Sequence, residues 1–343
     1  MKAIVIHAPK DLRYEEVASP PLGPNGVRVK IAIGGICGSD LHYYRHGGFG
    51  AVRLRHPMVL GHEIAGVVVE TGLDVQALRP GQRVAVNPSL PCGVCAFCQK
   101  GLRNHCSDMR FLGSAMRMPH VDGGFREELV CQAEQAVPVP DPLTLNEAAF
   151  AEPVAVCLHA VRRAGSLLGK RILVLGAGPI GMITMLIARS AGARSVAIAD
   201  LMDEPLRRAL DCGADETINV AREAQRLATY AEGKGTFDVV FEASGSAEAT
   251  TTALEVVQPA GILVCVGQGA RAQINISTIV TKEILMLGTF RFDEEFRMAL
   301  DYIARNRSQI GKLLTATVIA ADPTPAFELA ADKSRSVKVH LQF

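Results

Sequence analysis

Ile172-Leu173-Val174-Leu175-Gly176-Ala177-Gly178-Pro179-Ile180-Gly181 (ILVLGAGPIG) runs from a short apolar segment into three glycines and on into a second apolar stretch, Ile180 to Ala191. Strand, tight turn, then helix is the context in which a G-x-G-x-x-G pattern reads as a dinucleotide site. Gly176 makes the turn, Gly178 lets the backbone approach a pyrophosphate, and Gly181 admits close packing of helix on strand. The pyrophosphate then sits on the helix start at Pro179 and Ile180, where free N–H groups and the helix dipole favour an anion. Asp200, nineteen residues beyond Gly181 at the end of the next strand, is placed to bind both ribose hydroxyls. Its charge would repel a 2′-phosphate, so NAD is expected and NADP disfavoured, with Arg207 and Arg208 on the following helix able to soften the bias. The bland alternative is a glycine turn in an unrelated α/β protein, with Asp200 a mere strand-end acid.

Outward from this turn, strands alternate with helical stretches of ten or more residues: Lys170 to Leu175, Ser195 to Asp200, Phe237 to Glu242, Gly261 to Val266 and Ile284 to Leu287 as strands. That rhythm predicts an α/β domain with a doubly wound parallel sheet. A helix at Glu294 to Arg305 and a strand at Val337 to Leu341 follow. Upstream, the first 150 residues are rich in Gly and Pro and carry short β-branched runs at Val27 to Ile33, Ile64 to Glu70 and Gln82 to Val86, an all-β pattern with long loops. Met1 to Ala8 alternates like an edge strand. The expected domains are 1–151, completed by 292–343, and 152–291.

A chain of 343 residues that is 48% hydrophobic has the means to bury two cores. Its net charge of +1, without long runs of one sign, leaves no electrostatic footprint for nucleic acid or an anionic membrane, so a small-molecule ligand is expected. No run of about 18 uninterrupted apolar residues argues for a membrane span, and the amino terminus does not resemble a secretion signal. A cytoplasmic protein is the expectation.

Four of the nine cysteines, Cys92, Cys95, Cys98 and Cys106, fall within fifteen residues. Four thiolates at that spacing suit one tetrahedral zinc with no open position, hence a structural site. An iron–sulfur cluster and a chance group of thiols are the competing readings. A second donor set is scattered: Cys37 within Gly34-Gly35-Ile36-Cys37-Gly38-Ser39-Asp40, His62 and Glu63 within Gly61-His62-Glu63-x2-Gly66-x5-Gly72, and Glu152. Thiolate, imidazole and carboxylate with a fourth position for water or substrate make an open, catalytic zinc. These residues do not distinguish Glu63 from Glu152 as the direct ligand. The remaining Cys131, Cys157, Cys212 and Cys265 read as buried small apolar residues.

The glycine-bracketed His-Glu, the cysteine quartet and the later dinucleotide turn stand in the order found in the zinc-containing medium-chain dehydrogenases, and the whole chain resembles that family. Cys37 to Tyr44, Glu152-Pro153 and Phe290-Arg291-Phe292 look like its polyol-oxidising branch. Ala85 to Ser89, and Asp108-Met109-Arg110-Phe111 on through His120 to Phe125, resemble members that oxidise sugar acids such as L-idonate. The resemblance implies a GroES-like β-barrel catalytic domain with a Rossmann domain, two zinc ions per chain, and the nicotinamide in the cleft between the domains. It also implies hydride transfer from a secondary alcohol to NAD, and a homo-oligomer, dimer or tetramer. Ser39, the nicotinamide ribose hydroxyl and His42 become a proton relay, for which a histidine suits the outer end because its pKa lies near neutrality. Arg110, Phe111, His120 and Arg291 are the expected substrate contacts. A sorbitol- or xylitol-type polyol dehydrogenase is the alternative, and a non-catalytic NAD-binding protein the remote one.

Overall fold

The computed structural model describes residues 1–269 and 271–343. The chain divides into two compact units, one of Met1–Glu152 with Phe296–Asp332 and Lys338–Phe343, the other of Pro153–Glu295 with Lys333–Val337.

In the second unit six strands lie parallel in the order Glu216–Asn219, Ser195–Asp200, Arg171–Leu175, Phe237–Glu242, Val257–Cys265, Leu285–Gly288. The order reverses between Arg171–Leu175 and Phe237–Glu242, so both strands end beside the glycine turn, where doubly wound sheets bind their ligands. Residues 172–175 are buried without alternation, as expected when helices cover both faces. Leu173, Leu175, Ala197, Ile218, Val240 and Leu263 fill this core. Glu216–Asn219 carries little apolar signal, with only Ile218 fully buried, which is why periodicity alone passes over it.

The first unit is built on a mixed sheet in which Gly26–Gly35 is central, flanked by Glu63–Thr71 on one side and Lys338–Gln342 on the other. Glu128–Gln132 also pairs with the amino-terminal half of the central strand. The carboxyl-terminal segment thus completes the sheet, with Leu314–Ile319 parallel to Lys338–Gln342. Val29, Ile31, Ile64, Val84, Phe125, Val339 and Leu341 pack beneath. One expectation is corrected. Lys2–Ala8 is the middle strand of a three-stranded sheet rather than an edge, consistent with its run of buried residues from Ala3 to Ile6. The run expected at Ile64 to Glu70 is the strand Glu63–Thr71; within it Gly66 lies where a Cβ would come within 2.2 Å of the Lys30 carbonyl oxygen, so it permits close strand contact.

Glu152 sits at the start of the helix Ala151–Ala164. The adjacent Pro153 reads as a break in sequence, yet proline is tolerated in a first helical turn, where its missing N–H has no partner to lose.

Candidate metal centres and dinucleotide site

The strand Gly26–Gly35 delivers the chain to Cys37, which precedes the short helix Gly38–His46. The Cys37 backbone N–H donates to Asp40 Oδ2 at 2.9 Å, which fixes the helix start and buries Asp40 completely. Glu63 opens the neighbouring strand directly opposite Gly35. The positive φ of Gly61, +96°, turns the chain just before His62, and a Cβ at Gly61 would meet the Phe125 ring at 2.1 Å. These constraints bring a Cys37 thiol, a His62 ring nitrogen and a Glu63 carboxylate oxygen within 4.8 Å of one another. Glu152 is not one of that triplet, but it is buried and lies close enough to feel His62, Glu63 and Cys37 electrostatically.

Without a cation this cluster is badly compensated. Burial and the Glu63 charge push the Cys37 thiol up to about 12. Burial, together with the Glu63 and Cys37 charges, outweighs His62 and pushes Glu152 up to about 8. Asp40 Oδ1 and His62 Nδ1 are buried without hydrogen bonds. Thiol, imidazole and carboxylate donors at this spacing, with anionic groups in excess, fit a divalent ion of zinc's preferences.

Two residues of this centre escape the sequence reading. Asp40 Oδ1 stands 3.8 Å from His62 Nδ1, beyond hydrogen-bond distance, and sets a buried carboxylate beside the imidazole. Lys338, 1% exposed, places its ammonium in an ion pair with Glu63 Oε2 and donates to the Ile36 carbonyl at 3.1 Å. Burial lowers the pKa of such a lysine, but the Glu63 and Cys37 anions outweigh it and raise the value. Asp40 was visible within the Cys37 motif but had no assignable partner; Lys338 gave no local signal at all.

The helix Gly38–His46 also carries Ser39 and His42, one turn apart on one face. His42 is exposed, with its ring centroid 5.9 Å from Phe49. Phe111 is buried with its ring 5.6 Å from that of His62. Arg110 precedes it on a two-residue strand paired with Ser89–Leu90, so its side chain leaves from the opposite face. Asp108 is not its partner, being bound instead to Arg117 at 2.7 Å, and among the described residues the Arg110 guanidinium makes no ion pair. His120 is engaged at both ring nitrogens: Nε2 accepts the Arg55 N–H at 2.9 Å, and Nδ1 lies 3.0 Å from the Arg117 carbonyl oxygen. Arg291 adopts a positive φ of 54° and lays its guanidinium over the Phe290 ring at 4.8 Å.

The cysteine quartet closes on itself. All four thiols lie within the same 4.8 Å limit. The Cys92 N–H points at Cys106 Sγ (3.2 Å) and the Cys95 N–H at Cys92 Sγ (3.3 Å), while Gly93 and Gly101 take positive φ to make the turns. Backbone N–H groups of Cys98 and Ser107 pull the Cys95 thiol down to about 5. Donors aimed at sulfur favour thiolate, the form that binds metal.

At the dinucleotide turn, Gly176 has φ +103°, and a Cβ at Gly181 would lie 1.8 Å from the Gly176 carbonyl oxygen, so neither position accepts a side chain. A Cβ at Gly178 would meet nothing within 4 Å, leaving space above the start of the helix Pro179–Ser190. Asp200 Oδ2 accepts the Ala177 N–H at 2.7 Å and Oδ1 the Met202 N–H at 3.0 Å, so this acid also braces the turn. Arg207 is held by Glu204 and Asp211, and Arg208 by Glu204.

A family model described as alcohol dehydrogenase GroES-like domain matches residues 23–141, and one described as zinc-binding dehydrogenase matches residues 179–305. The chain is 42% identical over 320 residues to the L-idonate 5-dehydrogenase (NAD(P)(+)) of Escherichia coli (strain K12), covering 93% of this chain and 92% of that protein. It is 35% identical to the sorbitol dehydrogenase of Mus musculus, covering 99% and 95%. The crystal structure of the L-idonate 5-dehydrogenase of Escherichia coli str. K-12 substr. MG1655 superposes with a TM-score of 0.95 at 40% identity, covering 100% of this chain and 98% of that one.

Proposed function

The chain belongs to the zinc-binding medium-chain alcohol and polyol dehydrogenases, and from that premise we propose that it oxidises L-idonate at C5 to 5-keto-D-gluconate, with NAD as acceptor. The observation that carries the chemistry is the donor set of half-buried Cys37 with buried His62 and Glu63, found in the same chain as a Gly178 turn open for a pyrophosphate. The substrate rests on the higher identity to the idonate enzyme than to sorbitol dehydrogenases.

Cys37, His62 and Glu63 would hold the catalytic ion, with Glu152 beside them, and Cys92, Cys95, Cys98 and Cys106 the structural one. When bound, zinc supplies Lewis-acid polarisation of the alcohol and the nicotinamide supplies the hydride acceptor. Asp40 sets its buried carboxylate beside the His62 ring. Phe111 walls the imidazole on one side and limits water there. Ser39 takes the hydroxyl proton at the buried end of its helix face, and exposed His42 releases it to solvent. NAD is preferred because the two arginines that would greet a 2′-phosphate are already neutralised by Glu204 and Asp211. Arg110, His120 and Arg291 are the basic candidates for the far carboxylate; His120 is engaged at both ring nitrogens, which leaves the two arginines, whose planar fork suits two carboxylate oxygens.

The protein acts as a cytoplasmic homo-oligomer in this reading. Among the described residues no helix is long and apolar enough to cross a membrane. The outermost strand of the parallel sheet, Leu285–Gly288, leaves Leu285 exposed, as the helix Ile276–Lys282 does Ile276 and Val280.

The test compares L-idonate, sorbitol, xylitol and L-threonine side by side through NADH absorbance. L-Idonate should give the highest kcat/KM, and of Arg110→Ala and Arg291→Ala, assayed in parallel, the one that removes the carboxylate contact should cost it about 10- to 150-fold, the worth of a charged hydrogen bond of roughly 1.5–3 kcal/mol. Sorbitol should hardly respond. Equal losses on both substrates would remove the carboxylate contact, a higher rate on sorbitol would overturn the substrate, and silence on the whole panel would favour a non-catalytic role.

A further inference from the structure

The ion pair between Lys338 and Glu63 crosses a strand. Glu63 stands opposite Gly35 on one neighbouring strand, while Lys338 comes from the other, where His340 is the residue opposite Gly35. The two side chains meet over the glycine. A Cβ on Gly35 would lie 2.2 Å from Glu63 Oε2 and 3.1 Å from Lys338 Cε, so the central strand leaves a gap there that only a residue without a side chain provides. Its backbone is not in the left-handed region, and conformational freedom therefore does not account for a glycine here.

Burying an ammonium to 1% exposure is costly unless it is paired and hydrogen-bonded. Lys338 has three N–H donors; the Ile36 carbonyl takes one, one residue before Cys37, and Glu63 is the anion it meets. Four acidic side chains, Cys37, Asp40, Glu63 and Glu152, gather at this centre. A carboxylate with both oxygens unengaged rotates and presents either or both to a metal; with Oε2 held by an ammonium, the other oxygen is the one left without that partner.

We propose that Lys338, reaching across Gly35, is a positioning residue of the open metal centre, fixing which oxygen and how much charge Glu63 offers to the ion. This rests on the reading of Glu63 as a donor at that centre.

The experiment uses the full-length zinc-loaded protein. Zinc release to a chromogenic chelator is followed in time, and the centre is also reloaded with cobalt to record its visible spectrum. In Lys338→Met the open-centre ion should leave about 10- to 100-fold faster, the range for losing a partner of a ligand, with a changed cobalt spectrum and unaltered release from the cysteine quartet. Lys338→Arg should restore most of the native rate. Gly35→Ala, which displaces the same oxygen without touching either charge, should also alter the spectrum, and decides the matter by that readout should Lys338→Met not fold. A merely structural ion pair would lower Tm and leave release and spectrum native in these variants, and that result overturns the proposal. Glu63→Ala separates the two ideas: if its ion is held as in the native protein, the donor reading of Glu63 fails; if its ion is lost while Lys338→Met and Gly35→Ala are native, only the role of Lys338 fails.

Discussion

The cysteine lobe and the open centre have similar donor chemistry and opposite constructions. In the lobe, four thiols lie within fifteen residues, the turns are made by Gly93 and Gly101, and the N–H groups aimed at sulfur come from the same segment. In the open centre, Cys37, His62 and Glu63 arrive on two paired strands, Glu152 on a helix nearly ninety residues further on, and Lys338 on a strand from the end of the chain. A local site is paired with its own loop and depends on metal for order. A dispersed site is held by a sheet that folds for its own reasons, so its ligands are free to be incomplete and leave a position for substrate.

The contrast is broken or sharpened most strongly at Cys37. Cys37→Ser should fold and bind NAD, measured by quenching of intrinsic or NADH fluorescence, while hydride transfer falls by more than about a thousandfold, on the order of 4 kcal/mol of transition-state stabilisation. A folded variant with near-native turnover would show that the dispersed donors do not form the reactive centre. Cys95→Ser should do the reverse: one zinc fewer by elemental analysis and a loss on the order of 3 kcal/mol in unfolding free energy, because ordering of that segment is tied to its ion. Native stability with the zinc count unchanged would mean that the quartet is not a structural site.

The smallest effect is expected at Asp200. The dinucleotide turn resembles the cysteine lobe in being nearly contiguous, but its acid already accepts the Ala177 and Met202 N–H groups, beside the ribose contact proposed for it. Asp200→Ala should therefore weaken NAD binding and lower the NAD over NADP ratio of kcat/KM by about tenfold, within the roughly 1–4 kcal/mol of two nearby charges between water and a partly screened surface. A weakened NAD affinity with an unchanged ratio would assign the acid to bracing alone.

Fold and site were unequally legible. The parallel sheet showed through its runs of buried β-branched residues and the glycine turn, whereas Glu216–Asn219 and Leu314–Ile319 carried too few buried positions to declare themselves. Helix Ala151–Ala164 had no assignment in the sequence, and its Pro153 stands in the first turn, where proline is tolerated. Gly66 gave no sign in sequence of its close approach to Lys30, since sequence does not say which backbone will approach.

What the sequence by itself determined are the features whose partners lie close along the chain: the cysteine quartet, the glycine turn with Asp200, and the donor types at Cys37, His62 and Glu63. Only the tertiary structure decided which carboxylate joins the thiol and imidazole, that Asp40 faces His62, that His120 is already engaged, and that Lys338 reaches Glu63 over Gly35. The physical reason is that strand register brings together residues hundreds of positions apart, and register is settled by which apolar faces bury against one another across the whole sheet, not by any one segment.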